Sequence, residues 1–352
     1  MSIDDLDTPC VLIDVERVEA NLARAQSYAE ANGLALRPHI KTHKLPRFAL
    51  RQVELGAVGV TCQKLGEAEV MADAGVTDIF LPYNILGAAK LARLKALAAR
   101  VRMSVTADSE AVVAGLSRTF AGEARPLPVL VECDTGMGRC GVQTPAEALS
   151  LARRIAASPG LSFAGLMTYP AAGKVEANAS WLAEAVDLLR REGLPPAVVS
   201  NGGTPDLWHA GEVAGATEHR PGTYIYLDRF QVAKGVGTLD DCALTVLATV
   251  VSRPTPERAV IDAGSKSLTS DTLGLDGFGL VLGYPEAVIR SLSEEHGTID
   301  VMGCARKPAI GERLRIVPNH ACVVSNLFDD VVLVVGDEVL ESVAVAARGR
   351  VG

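Results

Sequence analysis

A basic stripe is the first thing missing. The 352 residues carry a net charge of −8, the pI is near 5.4, and no lysine- or arginine-rich face stands out. That excludes most nucleic-acid binders. Aromatic residues are only 4% of the chain, too few for a platform of stacked bases. No apolar run reaches the roughly 18 residues that a membrane-spanning helix needs. The opening Met-Ser-Ile-Asp-Asp-Leu-Asp has neither the basic nor the apolar region of a secretory signal. The seven cysteines, at 10, 62, 133, 140, 242, 304 and 322, are odd in number and scattered. A disulfide framework is therefore not expected, and a reducing cytoplasm is. Repeats and low-complexity tracts are absent too. What remains, 48% hydrophobic and 22% charged, is the composition of a globular enzyme with a large core.

From about residue 17 to 240 the pattern alternates. Short β-rich runs fall near 35–41, 58–63, 78–83, 101–108, 127–133, 161–169, 197–201 and 218–226, with amphipathic stretches between most of them. In Ala88–Arg100, Leu91, Leu94, Leu97 and Ala98 share one helical face. Thr144-Pro145-Ala146-Glu147 opens another helix, with Thr as N-cap, Pro first and Glu third. Gly33, Gly75 and Gly193 follow helices as their terminators. Eight strands alternating with helices predict an α/β fold built on a (β/α)8 barrel. The alternative, an open doubly wound sheet, would place a glycine-rich turn after its first strand, where Lys41 stands instead. After about 243 the texture becomes β-rich: 244–251, 259–262, 297–302, 313–317, 331–335 and 339–345 read as strands. The division expected is a barrel over 12–240 and a mostly-β domain over 241–352, joined by residues 1–11; Cys10–Val15 reads as a strand preceding the barrel.

A barrel shows its chemistry at the carboxyl ends of its strands. Arg37-Pro38-His39-Ile40-Lys41-Thr42-His43-Lys44 follows Leu34-Ala35-Leu36 and sets Lys41 at such an end. Partial desolvation there would lower the amine's pKa and make it a Schiff-base former. Alone, the segment reads equally as a solvated basic loop. Ser200-Asn201-Gly202-Gly203-Thr204 follows Ala197-Val198-Val199 late in the barrel. Its glycines would let backbone amides approach an anion; the plain alternative is a Gly-Gly turn. Arg139, in Glu132–Gly141, reads as a donor fixed into the rim. A strand-end lysine opposite a phosphate cup suggests pyridoxal 5′-phosphate. In the β-rich part, Pro318-Asn319-His320-Ala321-Cys322 places His and Cys two apart. On an extended segment both would point to one side, and imidazole with thiolate suits Zn²⁺. A buried, inert pair is the other reading.

Together these residues resemble the D-threonine aldolase and D-serine dehydratase family of fold-type III pyridoxal-phosphate enzymes, relatives of alanine racemase. The likeness extends to Asp7-Thr8-Pro9, Cys62-Gln63-Lys64, Met167-Thr168-Tyr169-Pro170, Gly202-Gly203-Thr204-Pro205 and Gly222-Thr223-Tyr224. It implies that Lys41 holds the cofactor (Lys44 is the second candidate), that Arg139 faces the pyridine nitrogen, and that Gln63 and Tyr169 line the ring. It implies that Gly202, Gly203, Thr204 and Tyr224 hold the phosphate, and that His320 and Cys322 bind Zn²⁺, Mn²⁺ or Mg²⁺ beside the substrate's β-hydroxyl. A homodimer acting on a small D-amino acid is implied as well.

Within that family, aldolase members commonly present His-x-Asp and dehydratase members His-x-Cys. Cys322 points to the alternative, dehydration of D-serine or D-3-hydroxyaspartate to a keto acid and ammonia. The loops Gln63–Glu69 and Tyr83-Asn84-Ile85 resemble the aldolase branch, and retro-aldol cleavage of D-threonine-type substrates is the expectation. A racemase, with Tyr284 as its second base, and a non-enzymatic cofactor carrier are the remaining readings. His39 and His43 read as orienting or acid–base groups, His296 as a turn or site residue, and Trp181 and Trp208 as packing.

Overall fold

The computed structural model describes residues 1–352, and the chain divides into two compact units. One comprises 24–41, 46–222 and 350–352; the other comprises 1–23, 42–45 and 223–349. Strand β1 (Cys10–Asp14) belongs to the second, and helix α1 (Val15–Ala31) begins in one and ends in the other.

The first unit holds eight strands: β2 (Ala35–Leu36), β3 (Val60–Thr61), β4 (Asp78–Leu81), β5 (Arg102–Ala107), β6 (Leu127–Cys133), β7 (Leu161–Thr168), β8 (Val198–Asn201) and β9 (Glu218–His219). They pair in parallel from β3 through to β9 and then β2. A further parallel bridge from His39 to Thr61 links the segment after β2 back to β3. The sheet thereby closes into the expected barrel. Its strands are almost continuously buried, as in β6, because parallel strands are covered on both faces. Helices α2 (Pro46–Glu54), α3 (Leu65–Asp73), α4 (Ala88–Ala98), α5 (Glu110–Phe120), α6 (Pro145–Ala156) and α7 (Val175–Arg191) alternate with the strands. In α4, Leu94 and Leu97 are buried while Leu91 is only half-buried. The α6 start is a full capping box: Thr144 accepts the Glu147 amide, and Glu147 accepts the Thr144 amide.

The strand ends differ from the sequence pattern at two places. The run at 35–41 gives only two ladder residues, since Pro38 has no N–H to donate. Lys41 sits in the short 3₁₀ turn Ile40–Thr42 that follows. The run at 218–226 likewise gives only Glu218–His219, then a 3₁₀ turn at Thr223–Ile225.

The second unit is a nine-stranded sheet. Its strands are β1, β10 (Leu244–Thr255), β11 (Arg258–Ile261), β12 (Leu280–Val281), β13 (Val288–Leu292), β14 (Gly297–Asp300), β15 (Arg313–Val317), β16 (Asp330–Val335) and β17 (Glu338–Ala344). β1 lies between β10 and β16, antiparallel to the first and parallel to the second. β12 and β13 lie in a stretch rich in Gly and Ser that gives no alternating pattern. Helices α8 (Arg229–Ala233), α9 (Ser265–Leu268) and α10 (Ala321–Leu327) complete the unit. No helix of the chain is long and apolar enough to cross a membrane.

Candidate active site

Tyr169, just past β7, is the hub of the barrel cluster. The Lys41 ammonium lies 5.8 Å and the Arg139 guanidinium 5.0 Å from the centre of its ring. A Cβ on Gly203 would sit 3.3 Å from the same ring, and one on Gly202 would sit 2.9 Å from Arg220. Gly203 also has φ +147°, so only glycine lets the loop after β8 pass this close to Tyr169. The Gly202 and Gly203 amides enter no backbone hydrogen bond, and Thr204 Oγ1 accepts the Gly222 amide at 3.1 Å.

Lys41 is fixed through its neighbours. Its amide donates to His39 Nδ1 at 3.3 Å, and His39 Nε2 lies 3.0 Å from Gln63 Oε1. An Nδ1 that accepts requires the proton on Nε2, so His39 is the neutral Nε2–H tautomer. Gln63 donates its amide NH₂ to Pro82 O, and its main-chain amide to Glu67. The orienting reading of His39 is the one this geometry favours. Gln63 reaches Lys41 only through His39.

Beneath this rim runs a buried polar chain that the sequence reading missed. Arg220 donates to Ser200 Oγ and to Thr168 O; Ser200 donates to Glu218; Glu218 and Asp78 share the Arg37 fork at 2.7 and 2.6 Å. Burial pulls the Arg220 pKa down to about 10, against the pull of Glu218 and Glu132. Glu132, at the end of β6, is pushed up to about 7 by burial and by Asp108, with Arg139 and Arg220 opposing. His219 Nε2 donates to Gly203 O at 3.1 Å, while its Nδ1 is buried with no partner. Burial and Arg220 press the His219 pKa to about 3. The imidazole is thus a fixed neutral donor under the Gly202–Gly203 loop. An alternating strand offers no signal that separates such residues from core.

The second unit carries the other cluster. Here one expectation is corrected: His320 and Cys322 do not lie on an extended segment. His320 is the N-cap of α10, and Cys322 lies in that helix's first turn. The turn forms because Asp228 Oδ2 accepts the Ala321 amide at 2.9 Å. Burial raises the Asp228 carboxyl to about 6, opposed by the amides it accepts. The two side chains still meet. Burial alone would lower the His320 pKa, but hydrogen bonding and charge from Cys322, with Asp271, push it up to about 9. His320 Nδ1 lies 2.7 Å from Asp271 Oδ2. Asn319 pins that loop by donating to Asp271 O at 3.2 Å and Gly277 O at 2.9 Å. The Cys322 sulfur lies 3.1 Å from Thr42 Oγ1 and 3.4 Å from Thr223 Oγ1. Asp271, Thr42 and Thr223 were not among the predicted site residues: Asp271 stands alone in a loop, and the two threonines lie inside quoted motifs with nothing in the sequence to pair them with Cys322.

Other candidates fall elsewhere. Lys44, buried with φ +56°, points its ammonium at Ala347 O, 3.4 Å away. Tyr224 is buried and follows Gly222, whose amide donates to Thr204 Oγ1, by two residues. His43 Nδ1 accepts the Leu45 amide, and the His296 carbonyl closes a turn with Ser293. Tyr284 donates to Glu312 and stacks with Arg306. Burial and Glu312 raise its phenol to about 12, which does not suit a second base. Trp208 packs on Tyr28 and Arg24.

The donors in the barrel unit fit pyridoxal phosphate: an amine and a guanidinium about one tyrosine ring, beside a glycine cradle with unused amides. The Cys322 sulfur and the His320 imidazole fit a divalent ion. No group of three or more His, Cys, Asp or Glu is gathered to hold one. A histidine whose Nδ1–H is held by a carboxylate presents Nε2 as the ligand.

Comparison with known proteins agrees with this layout. Residues 13–229 match the family model for the alanine racemase N-terminal domain, and residues 243–334 match one for a serine dehydratase domain. The chain is 36% identical to a D-threonine aldolase of Arthrobacter sp, over 98% of this chain and 93% of that protein. It is 32% identical to a 3-hydroxy-D-aspartate aldolase of Paracoccus denitrificans (strain Pd 1222), over 99% and 94%. The solved D-threonine aldolase of Filomicrobium marinum superposes with a TM-score of 0.90 at 34% identity, covering 99% of this chain and 98% of that one. The chain belongs to the D-threonine aldolase and D-serine dehydratase family, pyridoxal-phosphate enzymes with an alanine racemase-like barrel at the N-terminal side.

Proposed function

We propose that this enzyme cleaves D-β-hydroxy-α-amino acids of the D-threonine type into glycine and an aldehyde, with the help of a divalent metal. Pyridoxal phosphate, when bound, supplies an electron sink for the substrate's Cα, and a divalent ion supplies Lewis acidity at its β-hydroxyl. Lys41 would hold the cofactor by its amine. Arg139 would donate to the ring nitrogen, and Gln63 and Tyr169 would flank the ring. Gly202, Gly203, Thr204 and Tyr224 would take the phosphate, and His219 holds the Gly203 carbonyl. His39 keeps the Lys41 main chain in place, so the amine is presented rather than left to wander.

His320 and Cys322 would hold the ion, Zn²⁺, Mn²⁺ or Mg²⁺. The His320–Asp271 contact of 2.7 Å carries this reading. It fixes the imidazole tautomer a metal ligand needs, and nothing in racemase or carrier chemistry calls for it. Along the chain Lys41 is followed directly by Thr42, whose hydroxyl lies on Cys322. We keep 12–240 as the cofactor-holding domain and 1–11 with 241–352 as the metal-carrying one. A homodimer in the cytoplasm is proposed with them; all seven cysteines are free.

One observation favours a second reading. The sulfur ligand is softer than a carboxylate, and residues 243–334 match a serine dehydratase domain. Loss of hydroxide, giving a keto acid and ammonia, would use the same ion on the same oxygen. Incubation of the loaded enzyme with D-threonine and D-serine decides between them. Glycine and acetaldehyde from D-threonine are expected; pyruvate and ammonia from D-serine as the main products would overturn the aldolase reading.

A further inference from the structure

We propose that Thr42 and Thr223 tune the metal-binding sulfur. Their hydroxyls donate to Cys322 and limit how much charge it gives to the ion. This rests on reading His320 and Cys322 as metal ligands, and it concerns how hard a ligand the sulfur is.

Both hydroxyls are inside the protein. Thr42 is 0% and Thr223 8% exposed. Each finds its only hydrogen-bond partner in Cys322, at 3.1 and 3.4 Å. Valine would fill either space without burying an oxygen, and a buried hydroxyl is unfavourable unless it is bonded. Two such groups converging on one sulfur are therefore a specific arrangement. With a thiol, either atom could donate. A metal-bound sulfur has no proton, so both bonds must then run from hydroxyl to sulfur.

Hydrogen bonds to a ligand sulfur draw electron density away from the metal, as they do in copper and iron–sulfur sites. The ion keeps more of its charge for a substrate oxygen. The Asp271 carboxylate acts on the other ligand in the opposite sense, raising the basicity of His320. Two threonines thus make a cysteine behave more like a carboxylate. This reconciles a soft ligand with retro-aldol chemistry, which asks the ion to stabilise an alkoxide. Thr42 is also the residue after Lys41, and Thr223 the one before Tyr224, so both belong to segments fixed for other reasons.

The test uses the cofactor-loaded protein, stripped with chelator and refilled with Co²⁺. The thiolate-to-cobalt charge-transfer band is read as a difference against the zinc-loaded form of the same variant. Wild type is expected to show the band and Cys322→Ala to lose it. In Thr42→Val/Thr223→Val, where the sulfur donates more charge, the band moves to longer wavelength. Thr42→Ser/Thr223→Ser, which keeps both hydroxyls, stays near wild type. A Val double variant with an unmoved band overturns the tuning role alone. No band in wild type, or a band that survives Cys322→Ala, overturns the ligand reading and this proposal with it.

Discussion

At the residue scale, function is carried by groups whose partners leave them one option. His39 accepts from Lys41 and donates to Gln63, so it cannot also be protonated without breaking the Lys41 contact. Lys41→Ala should remove the visible absorption of bound cofactor. It should also lower activity by at least about 10²-fold, because the group that holds and orients the cofactor is lost. His219 gives a pH prediction. Its folded pKa, about 3, lies below the ordinary value of 6.5. Between those values the unfolded chain holds a proton that the folded one does not. Stability from this residue is therefore complete above pH 6.5 and is lost as pH falls toward 3, at about 1.4 kcal/mol per pH unit. His219→Gln keeps a donor for Gly203 O without the titration. Its denaturant midpoint should fall less steeply with acid than that of wild type.

At the element scale, the pattern exposed most of the fold. The eight barrel runs are all present, and the Thr144 cap forms as the spacing predicts. Thr144→Ala should lower stability by about 1 kcal/mol, read as a shift in denaturant midpoint at unchanged slope. Where the pattern failed, a tertiary partner decided. His320-Ala321-Cys322 has nothing in its own composition to start a helix; Asp228, 93 positions away, supplies the amide acceptor. β12 and β13 take their strand form from ladders with β15 and β14. The site divides the same way. Lys41, Arg139, Tyr169 and the glycines could be read from motifs because each motif is local. Asp271, Thr42, Thr223 and His219 act through distant partners, which one sequence does not encode side by side.

At the scale of the whole molecule, neither compact unit is one stretch of chain. Residues 42–45 belong with 223–349, and 350–352 with the barrel. The proposed metal ligands, by contrast, are two residues apart, so the ion itself would cross-link no distant segments. Chelation should therefore abolish activity while leaving the far-ultraviolet circular dichroism unchanged, and added Zn²⁺ should restore turnover. A loss of folded signal on chelation would instead indicate a structural ion.

β1 sits in the middle of its sheet, yet it is made long before its neighbours. Leu12 pairs with Thr245 on one side and Val332 on the other. At about 5–20 residues per second on the ribosome, the second partner emerges roughly a quarter-minute to a minute after the first strand. For that interval Val11, Leu12 and Ile13 form a sticky ribbon with two open edges. The nascent chain must either shelter them in the barrel's early helices or borrow a chaperone, so overexpression at a lower temperature should improve the yield of native enzyme.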